Sequence, residues 1–108
     1  MDVWFESAIQ RENYAIMRIQ NAIHEVTGLR FHQYTTKSRK REFFFARMLF
    51  VYHARKLKMS LTQIAKYVHR DHSSILHFLK KYEDDFNFNY QFRQLALQVN
   101  QLLNPKSK

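Results

Sequence analysis

A chain of 108 residues can hold one small core and little more. One glycine (Gly28), one proline (Pro105) and no cysteine leave it without the turn residues of an antiparallel sheet. They also leave it without a phosphate-cradling glycine loop and without any disulfide, thiol nucleophile or cysteine-bound zinc. The net charge of +9 is concentrated, because residues 37–81 carry twelve basic side chains and only two acidic ones, Glu42 and Asp71. That is an electrostatic footprint suited to a polyanion. No apolar run reaches membrane length, and the start MDVWFESAIQRE lacks a basic n-region and a cleavage site. Neither export nor insertion is expected, and a reducing cytoplasm fits the absence of cysteine.

In chain order, Val3, Trp4, Phe5, Ala8 and Ile9 suggest a helix beginning near the N-terminus. Ala15, Ile16, Ile19, Ala22, Ile23 and Val26 then recur at helical spacing. Gly28 follows as a C-terminal cap, and residues 29–36 read as a connector. The basic run KSRKRE (residues 37–42) leads into FFFARMLFVYHARKL, which is apolar nearly all round over residues 43–52 and should form a central, buried helix. Arg55, Lys56 and Lys58 gather at its C-terminal end, where they complement the dipole.

SLTQ (residues 60–63) is a capping box: Ser60 can accept from the Gln63 amide while the Gln63 side chain reaches back. Leu61, Ile64, Ala65 and Val68 form the stripe of the short helix that follows. His69 and Arg70 remain as a tight turn, and Asp71 is a natural N-cap for the next helix. Projected at about 100° per residue from Ile75, Phe78, Leu79 and Tyr82 fall on the core side, with His72 and Leu76 at its margin. Ser73, His77, Lys80 and Lys81 face away, flanked by Ser74. Asp84 and Asp85 suggest a cap for a last helix over residues 86–103. There Phe88, Phe92, Leu95, Val99 and Leu102 step by heptad spacing, a pattern for docking on the domain's own core or for a dimer seam. Asn104 and Pro105 end it, and residues 106–108 should fray.

Two helices joined so tightly, with Ala65 small at the crossing and Ile75 as apolar anchor, match a helix-turn-helix. A glycine is the easiest residue for a turn needing φ > 0, and His69 tolerates that region better than a branched side chain. Asp71, His72, Ser73 and Ser74 would then present short polar groups to base edges in the major groove. Arg55, Lys58, Lys66 and Lys80, with Lys37, Lys40 and His77, would lie toward phosphates. The KSRKR arm would suit an adjacent minor groove. His69, His72 and His77 with Asp71 do not reproduce a metal-ligand spacing, and Asp71, His72 and Ser73 cannot converge as a triad from one helical turn. Most aromatics read as core; Tyr67 is the one candidate in the motif for stacking on a single strand.

At Arg70-Asp71-His72-Ser73-Ser74-Ile75-Leu76-His77 the chain resembles the C-terminal DNA-binding domain of the bacterial replication initiator DnaA. That family's run is arginine-aspartate-histidine-threonine-threonine-valine-leucine-histidine. SLTQIAKY and KSRKREFFFARMLFVYHAR are similar to the elements before it, and the likeness spans roughly residues 19–82. The resemblance implies major-groove base contacts from Asp71, His72 and Ser73, with Ser74 and Arg70 close by. It also implies minor-groove arginines at Arg39 and Arg41, and phosphate contacts from Arg47, Arg55, Leu61 and Thr62. The single turn residue His69, a shorter connector before Ser60, and Met48 in place of a glutamine depart from the family pattern and bear on which sequence is preferred.

The expectation is an all-α, compact bundle of about five to six helices containing a helix-turn-helix of the Trp-repressor and DnaA C-terminal kind. One structural domain would comprise an N-terminal helical segment (1–36), a basic lead-in with long helix and helix-turn-helix (37–83), and a C-terminal helix with basic tail (84–108). The expected role is sequence-specific binding of double-stranded DNA in replication control or transcription regulation. No enzymatic activity, ATPase, nucleotide, metal or other cofactor, or membrane is expected, and the location is cytoplasmic at the nucleoid. The alternative is a protein-interaction module. There the last helix and the Trp4-Phe5 end would form a homodimer or dock on a larger replication or phage protein.

Overall fold

A computed structural model of the chain describes residues 3–105, with side chains from residue 10 onward. Six helices make up nearly all of it: α1 (Val3–Thr27), α2 (Phe31–Tyr34), α3 (Arg41–Lys56), α4 (Leu61–Val68), α5 (His72–Phe88) and α6 (Tyr90–Leu103). No strand occurs among the described residues, and no described helix is long and apolar enough to cross a membrane. The N-terminal pattern becomes one continuous helix, although the side chains of Trp4 and Phe5 and the whole of residues 106–108 lie outside the described residues. Gly28 ends α1 at φ +77, its amide donating to the His24 carbonyl at 2.7 Å. A residue with a Cβ is strained at that angle.

The connector after α1 contains a helical turn that hydrophobic spacing does not reveal. In α2 the Gln33 side chain accepts from the Arg30 amide at 2.8 Å. Phe31 packs its ring edge-on to Tyr34, 5.5 Å between centroids, and against Phe50 at 5.0 Å.

α3 is the hub, packed against every other helix. Residues 45–51 are buried without exception, as an all-round apolar pattern requires. α1 and α6 lie together on one side of it, and Arg18 reaches across to donate to the Leu103 carbonyl at 3.0 Å. α4 and α5 cover another side, with Ile64, Ala65, Val68, Ile75, Phe78 and Tyr82 buried. Tyr52 and Tyr82 stack face to face at 3.8 Å between α3 and α5.

The C-terminal boundary differs from the expectation. Asp84 and Asp85 do not cap the last helix; α5 runs through them to Phe88. Asp85 is buried one turn after Lys81 and pairs with its ammonium at 3.4 Å, so its carboxylate is engaged within the helix. Asn89 takes the capping role, accepting from the Phe92 amide at 3.0 Å. Arg93 folds back to donate to the Phe86 and Asn87 carbonyls, both at 2.6 Å, satisfying acceptors that the end of α5 leaves open. The heptad is corrected with it. Phe92, Ala96 and Val99 enter the core, whereas Phe88 is 87% exposed and Leu102 is exposed. Of the five heptad positions, Phe92, Leu95 and Val99 dock on the domain's own core.

Candidate nucleic-acid interface

The turn between α4 and α5 is built by local chemistry. Ser60 accepts from the Gln63 amide at 3.1 Å and Gln63 returns the bond to the Ser60 amide at 3.0 Å, so α4 starts where its capping box stands. His69 closes α4 in the left-handed region at φ 56, ψ 47, and the next amide, that of Arg70, donates to the Ala65 carbonyl at 3.0 Å. The chain reverses in one residue there, and α5 begins at once.

Asp71 caps α5 by accepting from the Ser74 amide at 2.9 Å. That amide, together with the Ser74 hydroxyl, holds the Asp71 carboxyl below its ordinary range, so the cap is ionised at neutral pH. Asp71, His72 and Ser73 are exposed and Ser74 is half-buried. The His72 Nε2 lies 2.9 Å from the Thr62 hydroxyl, which ties the start of α5 to the start of α4. Farther along, His77 and Lys80 are exposed, opposite the buried Ile75, Phe78 and Tyr82. Leu76 departs from its expected place at the core margin. It is 54% exposed on the outer face.

The basic arm is held on the other side of this tip. Thr36 and Ser38 turn it with their own hydroxyls, which accept from the Ser38 amide at 3.4 Å and the Lys40 amide at 3.3 Å. Arg47 then latches it from beneath. Its guanidinium donates to the Tyr34 carbonyl at 2.5 Å, the Thr36 carbonyl at 2.8 Å and the Ser38 carbonyl at 2.5 Å. Burial, and then the nearby charge of Arg70, lower its pKa. Arg47 is therefore turned inward rather than toward a phosphate as expected: it is 4% exposed, with Nε and Nη2 engaged by backbone carbonyls. The pattern carried a signal, since one arginine in an all-round buried helix must find acceptors inside. Arg70 grips the same Thr36 carbonyl at 2.7 Å, so its fork joins the turn to the arm rather than standing free for a base.

The remaining cations are distributed around the tip. Lys37, Arg39, Lys40 and Arg41 are exposed, with Lys40 leaning over the Phe43 ring at 5.6 Å and the Arg41 guanidinium over Phe45 at 5.1 Å. The Phe44 ring meets His77 at 6.3 Å and Phe78 at 5.7 Å, which sets the root of the arm against α5. On the opposite flank, Leu61 and Thr62 open α4, and their first-turn amides have no intrahelical acceptor. Arg55 is exposed but donates to the Met59 carbonyl at 2.7 Å, bracing the connector in which Lys58 takes φ 66. Lys66 is exposed on α4. Tyr67 is half-buried against Phe50, 6.1 Å between centroids, so it offers no open stacking platform. Among the described residues no three histidine, aspartate or glutamate side chains are grouped to hold a metal ion.

A family model described as the bacterial dnaA protein helix-turn-helix matches residues 16–81, more than half of the chain. The match runs from the middle of α1 through the two turns and the exposed face of α5 and stops before α6. Comparison with curated proteins and with solved structures gives no match.

Proposed function

The chain belongs to the bacterial DnaA helix-turn-helix family, and from that premise we propose that it binds double-stranded DNA sequence-specifically, with α5 as the recognition helix. The observation that carries the reading is the placement of the α5 N-terminus. Asp71, His72 and Ser73 project between the open amides of α4 on one flank and the latched basic arm on the other.

In this reading α5 enters the major groove end-on. Asp71 accepts from a cytosine amino group while capping its own helix, and His72 and Ser73 bond to base edges, with Ser74 behind them. His72 is already oriented by Thr62, so less side-chain freedom is lost on binding. Arg39 follows the arm into the neighbouring minor groove, with Arg41 at its root. Lys37, Lys40, Lys58, Lys66, His77 and Lys80, and the amides of Leu61 and Thr62, meet phosphates, with Arg55 bracing the connector beside them. Arg47 and Arg70 set the distance between arm and helix. The chemistry is occupancy of a site rather than turnover, which suits control of replication or of transcription.

Selection of bound sites from random duplex, read by sequencing, tests this. An enriched motif is expected, and titration with that duplex should shift the amide resonances of residues 71–74. Recovery of no motif from a folded protein overturns the reading.

A further inference from the structure

We propose that Leu76 is a specificity-determining residue that reads the 5-methyl group of a thymine, one helical turn beyond the bases met by His72 and Ser73. The inference rests on the DNA-binding reading above and extends it to a residue that the polar tip does not include.

The geometry around α5 singles this position out. Measured about the helix axis from Ile75 at about 100° per residue, His72 lies near 60° and His77 near 200°. The start of α4 closes on α5 at His72, through Thr62, and the root of the arm closes on it at His77, through Phe44. Between those two flanks the helix is open, and over residues 72–81 the positions in the open sector are Leu76, Lys80 and Ser73. Leu76 therefore stands inside the cleft that the flanks define, not at its edge.

The chemistry narrows what Leu76 can meet there. Among the described residues, the other large exposed apolar side chains lie on α1, on α6, at the α5–α6 corner and in the α3–α4 connector. Leu76 alone among them sits on the outer face of α5 among His72, Ser73 and Lys80. An isobutyl group gains nothing beside a phosphate or a sugar hydroxyl, and it would strip water from a guanine O6 or a cytosine amino group without replacing the bond. The major-groove edge offers one apolar group, the thymine methyl. Leu76 reaches it from the second turn, where a longer side chain compensates for the greater distance of the backbone from the bases.

The test uses the full chain and the duplex that random-site selection yields. Each thymine in that duplex is replaced singly by uracil, which removes only the methyl group, and binding is measured for the wild type and for Leu76→Ala. Because Leu76 is exposed, truncation leaves the core intact. The wild type should lose about fourfold in affinity at one uracil position, the worth of burying one methyl group. Leu76→Ala should bind the thymine duplex several-fold more weakly and be indifferent to uracil at that same position. A wild type that tolerates uracil throughout a site it still binds specifically overturns the assignment of Leu76 alone. So does a Leu76→Ala variant that remains sensitive at the same thymine. A wild type that selects no site overturns both this inference and the reading it rests on.

Discussion

Two basic side chains are buried on α3, Arg47 and His53, each at 4% exposure, and they are accommodated in opposite ways. Arg47 keeps its charge because a loop brings three carbonyls to it. His53 finds no such partner. Its Nε2 lies buried beside Asn100, and the Asn100 Oδ1 and Tyr82 hydroxyl near it are likewise without a hydrogen bond. Burial, with Lys56 adding to it, pushes the His53 pKa down to about 4, against a small opposing effect of Asn100, so it stays neutral. Where the protein has a surface element to position, it surrounds a permanent cation with backbone. Where it has only a core to fill, it removes the charge.

The contrast is broken most directly at Arg47. Arg47→Ala removes the donor from the Tyr34 and Ser38 carbonyls and leaves Thr36 with Arg70 alone, and with partial rescue by water at Ser38 the expected loss is about 3–4 kcal/mol of unfolding free energy. Urea unfolding measures it. Arg47→Lys should recover less than half, because an ammonium cannot reproduce the planar fork. A loss below about 1 kcal/mol would mean that the arm holds its shape without the latch.

His53 predicts a pH dependence of a definite sign. Its folded pKa of about 4 lies below the 6.5 of the unfolded chain, so the unfolded state takes up the proton first as pH falls. Stability is full above about pH 6.5, declines through the window down to about 4, and levels off below it. The accumulated loss is about 3 kcal/mol at 1.36 kcal/mol per pKa unit. Denaturant midpoints across that range should fall for the wild type, and His53→Gln should flatten the slope in that window.

The same contrast explains what the sequence discloses and what it conceals. The capping box at Ser60, the N-cap at Asp71, the left-handed turn at His69 and the buried side of α5 are all written in local pattern, because each is decided within four or five residues. The burial of Arg47 is decided by a carbonyl thirteen residues away, and the tie from Arg70 to Thr36 spans thirty-four. No periodicity reports such contacts. At the end of α5 the local signals compete: Asp84, Asp85 and Asn89 are all good caps. The contest goes to Asn89, since Asp85 pairs with Lys81 one turn back in α5 and Arg93 closes the carbonyls at its end. Leu76 departs from the core margin for a related reason. A position near 100° from the core direction is assigned to core or solvent only by the neighbours that flank the helix.

On the exposed side, the selected duplex sharpens the division between groups that specify and groups that attract. His72→Ala or Ser73→Ala should cost roughly 1–3 kcal/mol at one or two base positions and leave binding to scrambled duplex nearly unchanged. Lys66→Ala should weaken both alike and lower the salt-dependence slope by about one. Equal losses for His72→Ala on both duplexes would place its imidazole at the backbone, with the Thr62 contact serving only the fold.

The smallest expected effect concerns a third basic residue, exposed where Arg47 and His53 are buried. His69 holds φ 56, ψ 47 with its ring in solvent, so its role in the turn is that of a backbone. An L-residue is disfavoured there by about 1–2 kcal/mol relative to its right-handed form. Glycine escapes that strain but loses about 0.5–1 kcal/mol to unfolded-state freedom. His69→Gly should thus raise stability by up to about 1 kcal/mol, read as a higher urea midpoint with an unchanged slope. A lower midpoint would show that the imidazole contributes a contact of its own, and the turn would then be held by a side chain as the arm is held by Arg47.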